Sequence, residues 1–308
     1  MAEGGTWPDA PADAYIVGLK ELPEDGSALK HKHIYFAHCF KEQGGWKELL
    51  GRFDAGGGHV LDIEFLTNEK GQRVAAFGFM AGFAGAAAGL MAYCAQFSDT
   101  PLGLISSYPN EAALLEKIGA DLKAAEAKAG RKPRAIIMGA LGRCGSGAVS
   151  FLEKAGFSAE QIVKWDMAET KGGGPFPPLL EHDIFINCIY LSLPIPPFLT
   201  EEMLNSDTRQ LKVLVDVSCD TSNPHNPLPF CNVATTFDKP LHRITPAAGP
   251  ALDIVAIDHL PTLLPLESSQ HFSNDLMPTI EAIATIDTYP VWVKAKKLFD
   301  EKMAASKM

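Results

Sequence analysis

The chain has 308 residues, of which 46% are hydrophobic and 21% are charged. This length is enough to bury a sizeable core and favours two domains over one. The formal net charge of −10, together with the scarcity of lysine and arginine runs, argues against a basic surface for nucleic acid, so small molecules are the expected partners.

The opening segment has the pattern of part of an α/β domain. Three strand-like runs cover residues 14–19, 33–38 and 60–65. One amphipathic helical run covers residues 42–53. Lys20 follows the first run, and His38 ends the second. A strand end holds a side chain still at the edge of a sheet, where a lysine can act as a base and a histidine titrates near neutral pH. A solvated lysine and a structural histidine are the commoner outcomes, so the pattern alone leaves both roles open.

Glu64 and Arg73 extend this set of candidates. Arg73 has the chemistry to clamp a substrate carboxylate through two hydrogen bonds, and Glu64 has the charge to tune the lysine and histidine. An ordinary surface ion pair between Glu64 and Arg73 is the alternative.

The most apolar stretch covers residues 74–95 and contains four glycines and no charged residue. Its length also fits a membrane span, which needs about 20 apolar residues. The run lacks a long series of leucine, isoleucine and valine, and no basic anchor follows it, so a buried helix packed through small residues is favoured. No membrane is therefore expected as a partner.

From residue 133 onward, β-rich runs alternate with helical runs, which is typical of a doubly wound parallel sheet covered on both faces. An amphipathic helix over residues 110–129 precedes it. The predicted strands cover residues 134–139, 162–166, 183–191, 212–217 and 252–258, and the first helix between them covers residues 145–155. Two further helices, over residues 272–286 and 291–305, are expected to return to the first domain.

A glycine-rich turn, GALGRCGSGA, starts at Gly139, directly after a buried strand and at the opening of a helix. Glycines let backbone amides approach a pyrophosphate, and the helix N-terminus adds partial positive charge. Because the spacing is looser than G-x-G-x-x-G, the turn alone is weak evidence. Asp166 strengthens it, because an acid about 20 residues beyond such a turn holds the ribose hydroxyls and repels a 2′-phosphate. NAD is therefore favoured over NADP, with Thr170 as a further ribose neighbour and a simple turn-capping aspartate as the alternative.

Ligands of such sheets bind at the carboxyl ends of the strands. This rule points to Tyr190, Val217 and the segment Ile257, Asp258, His259 and Leu260 as walls of the nicotinamide side. Asp258 is a candidate acceptor for the carboxamide or ribose, although a turn cap before Pro261 explains it equally well.

Six scattered cysteines without CxxC spacing, and no signal-peptide pattern, predict an intracellular and largely reduced protein. Cys144 and Cys188 are expected near one sheet edge, either as two buried thiols or as a pair that oxidises to a disulfide. The final Ser306, Lys307 and Met308 are close to a peroxisomal address, with a chance match as the alternative, so a cytoplasmic or peroxisomal location is expected.

The motifs together resemble the fungal saccharopine dehydrogenases of the lysine pathway, which belong structurally with alanine dehydrogenase and transhydrogenase. The matching stretches cover nearly the whole chain from Ile16 and include GLKELP, HIYFAHCFK, LDIEFL, GALGRCGSGA, DIFINCIYLS and VDVSCDTSNPHNP. The resemblance implies that saccharopine, NAD and water give lysine, 2-oxoglutarate and NADH, with no metal. The family's catalytic pair falls on Lys20, which takes the amine proton, and His38, which assists water attack on the imine.

The resemblance also assigns binding residues. Gln43 and Arg73 match substrate-contacting positions. The positions that match cofactor contacts are Phe77, Gly142, Arg143, Asp166, Thr170, Tyr190, Val217, Ile257, Asp258, His259 and Leu260. Two departures stand out. Family members begin with a further strand-helix-strand unit of at least about 30 residues that carries a substrate-binding arginine, whereas Met1–Asp13 here leads almost directly into the strand before Lys20. The second departure is Gln72, which stands where a basic residue often precedes the matching arginine.

The fold expected from these features is α/β, with two Rossmann-like doubly wound domains of which the first is incomplete at its N-terminus. Residues 1–77 and 268–308 are expected to form the substrate and catalytic domain, and residues 78–267 the NAD-binding domain. The sequence leaves the oligomeric state open, with a monomer as the working expectation. Two other functions are kept: a truncated NAD-binding protein without turnover, and an alanine-dehydrogenase-like enzyme that acts on a smaller amino acid.

Overall fold

The computed structural model describes residues 7–191, 193–219, 221 and 223–308. Met1–Thr6 of the opening segment, together with Ser192, Asp220 and Ser222 of the quoted motifs, lie outside the described residues. The chain divides into two units. In the described residues, unit 1 comprises residues 7–76 and 272–308, and unit 2 comprises the described part of residues 77–271.

The described residues form helices and strands in an alternating order typical of α/β proteins. The helices are α1 Trp46–Gly56, α2 Gly78–Ala95, α3 Glu111–Ala129, α4 Arg143–Lys154, α5 Met167–Thr170, α6 Pro265–Glu281 and α7 Pro290–Ser306. The strands are β1 Tyr15–Val17, β2 Lys32–Tyr35, β3 His59–Asp62, β4 Ala135–Met138, β5 Ile162–Trp165, β6 Ile184–Asn187, β7 Val213–Asp216, β8 His242–Ile244 and β9 Leu252–Val255.

Unit 1 contains a parallel sheet in the order β1-β2-β3, with α1 as the crossover between β2 and β3. Helix α7 packs against β3, and its Trp292 is fully buried and donates a hydrogen bond from Nε1 to the carbonyl of Thr279 at 3.0 Å. The three described strands follow one another in chain order, so no reversal of strand order is seen among them. Residues 272–308, which include α7, group with residues 7–76 in unit 1.

Unit 2 contains a sheet of six strands in the order β5-β4-β6-β7-β9-β8, and all its neighbours are parallel except β8 and β9. The order reverses between β4 and β6, which is the mark of a doubly wound sheet and the place where ligands of such sheets bind. The predicted α/β class with parallel sheets is confirmed. Strand β8 was not predicted, because its three residues lie in a stretch without an alternating or continuous apolar pattern.

Helix α2 runs through the core of unit 2. Among the described residues, α2 is the one helix that is long and apolar enough to cross a membrane by length and composition, with a mean hydropathy of 1.4. However, 78% of this helix is buried within the protein. It packs against α4 so closely that a Cβ added to Gly82 would lie 1.7 Å from the carbonyl oxygen of Cys144, and one added to Gly147 would lie 1.9 Å from that of Phe79. Small residues therefore allow two helix backbones to touch, as the sequence predicted for a buried helix.

Several predicted boundaries were wrong by a few residues, for local reasons. The helix predicted from residue 42 begins at Trp46, because Gly45 takes a left-handed backbone conformation with φ of 80°. The strand predicted to end at His38 ends at Tyr35, and His38 itself has φ of 52°. The strand predicted to reach residue 65 ends at Asp62, whose side chain accepts the Glu64 amide and starts a short 3-10 turn.

Candidate active site

Lys20 and His38 follow neighbouring strands of unit 1. The hydrogen-bond ladder between β1 and β2 continues beyond both strands, because the Gly18 amide donates to the Ile34 carbonyl at 3.0 Å and the Phe36 amide donates to the Leu19 carbonyl at 3.1 Å. Lys20 therefore begins its loop beside the segment that leads to His38. Both residues are exposed, and both lie past the carboxyl ends of parallel strands, where the sequence predicted them.

The turn after β2 sets the direction of the His38 side chain. With φ of 52°, His38 lies in the left-handed region, which is uncommon for a residue with a side chain. Its ring is stacked with that of Phe36 at a centroid distance of 6.4 Å, and Phe36 contacts Phe272 at 5.7 Å. Residues other than glycine in this region cluster at functional sites, so the conformation adds to the reasons to consider His38.

Glu64 is held between two cations of unit 1. Its Oε1 accepts a hydrogen bond from the Nζ of Lys41 at 2.6 Å and lies 3.8 Å from Nη1 of Arg73. The Glu64 side chain is 15% exposed and that of Arg73 is 52% exposed. The structure therefore contains the ion pair between Glu64 and Arg73 that was the alternative interpretation, and it adds Lys41, which the sequence reasoning did not single out although it ends the motif HIYFAHCFK.

Gln43 stabilises the turn that follows His38. Its Oε1 accepts the amide of Lys41 at 3.1 Å, and Glu42 between them has φ of 61°. This hydrogen bond holds the backbone of Lys41 in the turn, so Gln43 has a structural role beside the predicted substrate contact.

Asp62, at the end of β3, is a buried carboxyl group that the sequence reasoning missed. It is 1% exposed, and its Oδ1 accepts the Glu64 amide at 2.9 Å. Burial raises its pKa to about 6, against the lowering effect of the Glu64 amide. The only sequence signal is its place at the end of a strand in LDIEF, two residues before Glu64.

In unit 2, the glycine-rich turn leads from β4 into α4. Gly139 has φ of 81°, and the amides of Gly139 and Ala140 both donate to the carbonyl of Trp165 at the end of β5, at 2.8 and 3.0 Å. A Cβ on Gly145 would lie 2.1 Å from the Gly139 carbonyl oxygen, so only glycine fits there. Helix α4 begins at Arg143, two residues earlier than predicted, with Gly142 as its N-cap and no side-chain cap.

Asp166 links this turn to the next helix. Its Oδ2 accepts the amide of Leu141 at 2.9 Å, its Oδ1 accepts the amide of Met167 at 2.8 Å, and Glu169 completes a capping box. Thr170 donates from Oγ1 to the Asp166 carbonyl at 2.8 Å. The turn-capping interpretation is thus what the contacts show. A carboxylate has about four acceptor sites, so capacity for ribose hydroxyls remains.

The other candidates of unit 2 lie along the same edge of the sheet. Tyr190 is 64% exposed, and Val217 follows β7. Ile257 and Leu260 are buried, so only their backbone groups can reach a ligand, whereas Asp258 and His259 are exposed and lie 3.7 Å apart.

Phe77 is also on this side of unit 2. It directly precedes α2, and a Cβ on the next residue, Gly78, would lie 3.3 Å from Cδ of Arg143 and 3.2 Å from Sγ of Cys144. The start of α2 therefore lies beside the start of α4, which brings Phe77 and Arg143 to the same end of the two helices.

A second buried carboxyl group that was not predicted, Asp216, ends β7. Its Oδ1 accepts from Nδ2 of Asn187 at 3.0 Å and from Oγ of Ser218 at 2.6 Å, and burial raises its pKa. These contacts join the carboxyl ends of β6 and β7 near Tyr190 and Val217.

Cys144 and Cys188 are both free thiols. Burial raises the pKa of Cys144, and burial together with the neighbouring Cys144 raises the pKa of Cys188 well above its usual range. By solvent exposure both are half-buried, so the expected full burial is not seen, although a raised pKa keeps each thiol protonated.

The residues of unit 2 fit a dinucleotide. The glycine turn is too tight for a Cβ at Gly145, the first turn of α4 has no side-chain cap, and both lie at the reversal of strand order between β4 and β6. Backbone amides and the positive end of α4 suit a pyrophosphate, and Asp166 lies at the end of the next strand, where the adenosine ribose is expected.

Fold and site together are those of an α/β protein whose doubly wound sheet suits a dinucleotide. A family model described as alanine dehydrogenase/PNT, N-terminal domain, matches residues 2–84. A solved structure of L-alanine dehydrogenase aligns with a TM-score of 0.52 at 13% identity, covering 92% of this chain and 74% of that one, and this likeness concerns the fold alone.

Curated relatives are much more similar in sequence. Saccharopine dehydrogenase (NAD+, L-lysine-forming) of Yarrowia lipolytica is 53% identical over 98% of this chain and 82% of its own length. The enzymes of the same name from Candida glabrata and Neurospora crassa are both 52% identical over 97% of this chain, and the matches cover 82% and 81% of their lengths. The chain belongs to the saccharopine dehydrogenase (NAD+, L-lysine-forming) family, which confirms the resemblance seen in its motifs.

Proposed function

We propose that this chain oxidises saccharopine with NAD and water to L-lysine, 2-oxoglutarate and NADH, with release of a proton. The observation that carries the proposal is the 53% identity to a saccharopine dehydrogenase over 98% of the chain. The arrangement of unit 1 supports it, because Lys20 and His38 follow adjacent parallel strands that continue to pair beyond their ends.

NAD, when bound, accepts a hydride from the carbon that carries the secondary amine of saccharopine. In the proposed reaction, Lys20 takes the proton from the amine nitrogen, which leaves an imine on the substrate. His38 then takes a proton from the water that attacks the imine carbon, while the imine nitrogen regains a proton. The C–N bond of the resulting carbinolamine breaks as its hydroxyl proton passes to the leaving nitrogen, which gives 2-oxoglutarate and lysine. The exposure of both side chains supports these roles, because an acid-base group must reach the reacting atoms.

Arg73 and Gln43 are proposed to bind the substrate. Saccharopine carries several carboxylates, and a guanidinium binds a carboxylate through two parallel hydrogen bonds. The ion pair with Glu64 fixes one side of the Arg73 side chain, which is otherwise 52% exposed. Glu64 is proposed to act through this pairing, by balancing the charge of Lys41 and Arg73 beside the catalytic groups.

On unit 2, Gly142 and Arg143 are proposed to bind the pyrophosphate, Asp166 and Thr170 the adenosine ribose, and the strand-end residues Tyr190 and Val217 the nicotinamide half. The segment from Ile257 to Leu260 and Phe77 complete the set. The contact of Asp166 with the Leu141 amide supports the preference for NAD, since it holds a negative charge against the turn where a 2′-phosphate would lie.

The test is a coupled measurement of NADH formation from saccharopine and NADH binding to the same protein. Saccharopine-dependent NADH formation is expected, and Lys20→Met is expected to abolish it while NADH binding is kept. Lys30→Met, an exposed lysine of the same unit, is the matched control and should behave as wild type. NADH binding without turnover would instead identify an inactive NAD-binding protein, and turnover with alanine but not saccharopine would identify an alanine-dehydrogenase-like enzyme.

A further inference from the structure

Asp62 occupies an unusual place in unit 1 for a charged side chain. It is the last residue of β3, it pairs in register with Tyr35 at the end of β2, and it is 1% exposed. A buried carboxylate is costly unless nearby groups compensate its charge, so its position calls for a specific reason.

The carboxyl group of Asp62 faces two turns at once. Its Oδ1 accepts the amide of Glu64 at 2.9 Å, which shapes the turn after β3. The backbone amide of Ala37, the residue directly before His38, also faces the carboxyl group and favours its charged form. Oδ2 has no hydrogen-bond partner of normal geometry and is itself buried.

The titratable groups around Asp62 come from the neighbouring chain segments. They are His38, which opposes its negative charge, Glu64, which adds to it, and the buried Tyr35 and Cys39. Burial, with a contribution from Asp62, raises the pKa of Cys39 to about 12, and burial likewise raises that of Tyr35. These two groups therefore stay neutral in the working pH range.

We propose that Asp62 is a positioning residue for the acid-base chemistry, because its carboxylate fixes the turns that carry His38 and Glu64 and presents a negative charge to the imidazole. The proposal rests on the role proposed for His38. The proposal explains why Oδ2 of Asp62 is buried without a hydrogen-bond partner at the end of β3. This strand end is two residues before Glu64 and pairs with the end of β2, which leads to the His38 turn.

The first test is an NMR titration of His38 in wild type and in Asp62→Asn, with the signal assigned from His38→Gln. Asparagine keeps an acceptor for the Glu64 amide and removes the charge, so the His38 midpoint is expected to fall by about half a pH unit or more. Asp54→Asn, an exposed carboxylate of α1 that pairs with Lys307, is the matched control and should leave the midpoint unchanged. Asp62→Ser, which is smaller and keeps a hydroxyl, serves if the asparagine variant does not fold. An unchanged His38 midpoint would overturn the proposal, whether or not the protein turns over saccharopine.

The second test is kinetic. The limb of the kcat profile that rises with pH is expected to move to lower pH in Asp62→Asn, in the same sense as the NMR midpoint. Asp62→Ala, which also loses the acceptor, is expected to lower kcat about tenfold or more, with KM for NAD unchanged. A loss of NADH binding and thermal stability in parallel with activity would show a merely structural role and overturn the proposal. A wild-type protein that does not turn over saccharopine, but whose His38 midpoint responds to Asp62, would reject the proposed function and leave the positioning role intact.

Discussion

Asp166 accepts the amide of Leu141 at 2.9 Å, so the carboxylate that is proposed to hold the ribose also holds the glycine turn in place. One side chain thereby links the end of β5 to the loop after β4. Its charge, and not only its shape, is expected to decide which cofactor binds.

Asp166→Asn is therefore expected to weaken the preference for NAD over NADP. Asparagine keeps an oxygen that can cap α5. It loses the negative charge that repels a 2′-phosphate and one of the two oxygens that accept hydrogen bonds from the ribose hydroxyls. We expect the ratio of kcat/KM for NAD to that for NADP to fall at least about tenfold. Asp238→Asn, an exposed carboxylate of unit 2, is the control, and an unchanged ratio in Asp166→Asn would contradict the assignment.

Gly145→Ala is expected to disrupt the glycine turn. Its Cβ would lie 2.1 Å from the Gly139 carbonyl oxygen, so the turn must move. We expect a loss of about 1–3 kcal/mol in the free energy of unfolding and NADH binding weakened at least about tenfold. Gly119→Ala in α3 is the control, because nothing lies within 4 Å of its added Cβ, and it should raise stability by about 0.5–1 kcal/mol. Wild-type NADH affinity in Gly145→Ala would show that the turn does not bind the cofactor.

Arg73→Lys tests substrate binding separately from cofactor binding. Lysine keeps the positive charge beside Glu64 but loses the paired hydrogen bonds of a guanidinium, so KM for saccharopine should rise about 10- to 100-fold while KM for NAD stays constant. Lys70→Met, three residues away and exposed, is the control. A parallel rise in both KM values would show instead that Arg73 holds the fold of unit 1.

The raised pKa of Asp62 predicts a pH dependence of stability with a definite sign. Its pKa is about 6 in the folded protein against an ordinary value of 3.8, so the folded state binds the proton more tightly than the unfolded state. The stabilising contribution of the protonated carboxyl is complete below pH 3.8 and is lost as the pH rises through about 6. This rise in pKa corresponds to at most about 3 kcal/mol.

Asp62→Asn, which cannot ionise, should therefore gain stability relative to wild type between pH 4.5 and pH 7.5. Urea unfolding at the two pH values measures the gain, with Asp54→Asn as the control. A difference between variant and wild type that is the same at both pH values, or that falls with rising pH, would show that Asp62 is not desolvated as the structure describes.

The parallel sheet of unit 2 could be predicted because each strand is a short, continuous apolar run between glycines and helical runs. The glycine turn and the place of Asp166 could also be predicted, because their spacing follows from how a strand leads into a helix. Strand β8 could not, because it is antiparallel and short, and its burial comes only from pairing with β9.

The groups around His38 show the limit of sequence reasoning in the site. The residue types at Lys20, His38 and Arg73 suggested chemistry, but nothing in the local sequence predicted the left-handed conformation of His38. The strand-end position of Asp62 was too weak a signal to single it out, because an aspartate at a strand end is usually solvated. Only the packing of the neighbouring turns shows that it is buried. The partnership of Lys41 with Glu64 likewise depends on a contact across 23 residues of chain.

The backbones of α2 and α4 touch at Gly82 and Gly147, without intervening side chains. Because such a junction has no rotamers to rearrange, the first turn of α4 cannot shift unless the whole of α2 shifts with it. The surface proposed to bind the phosphates is therefore expected to be rigid before a nucleotide binds, and binding should cost little conformational entropy there.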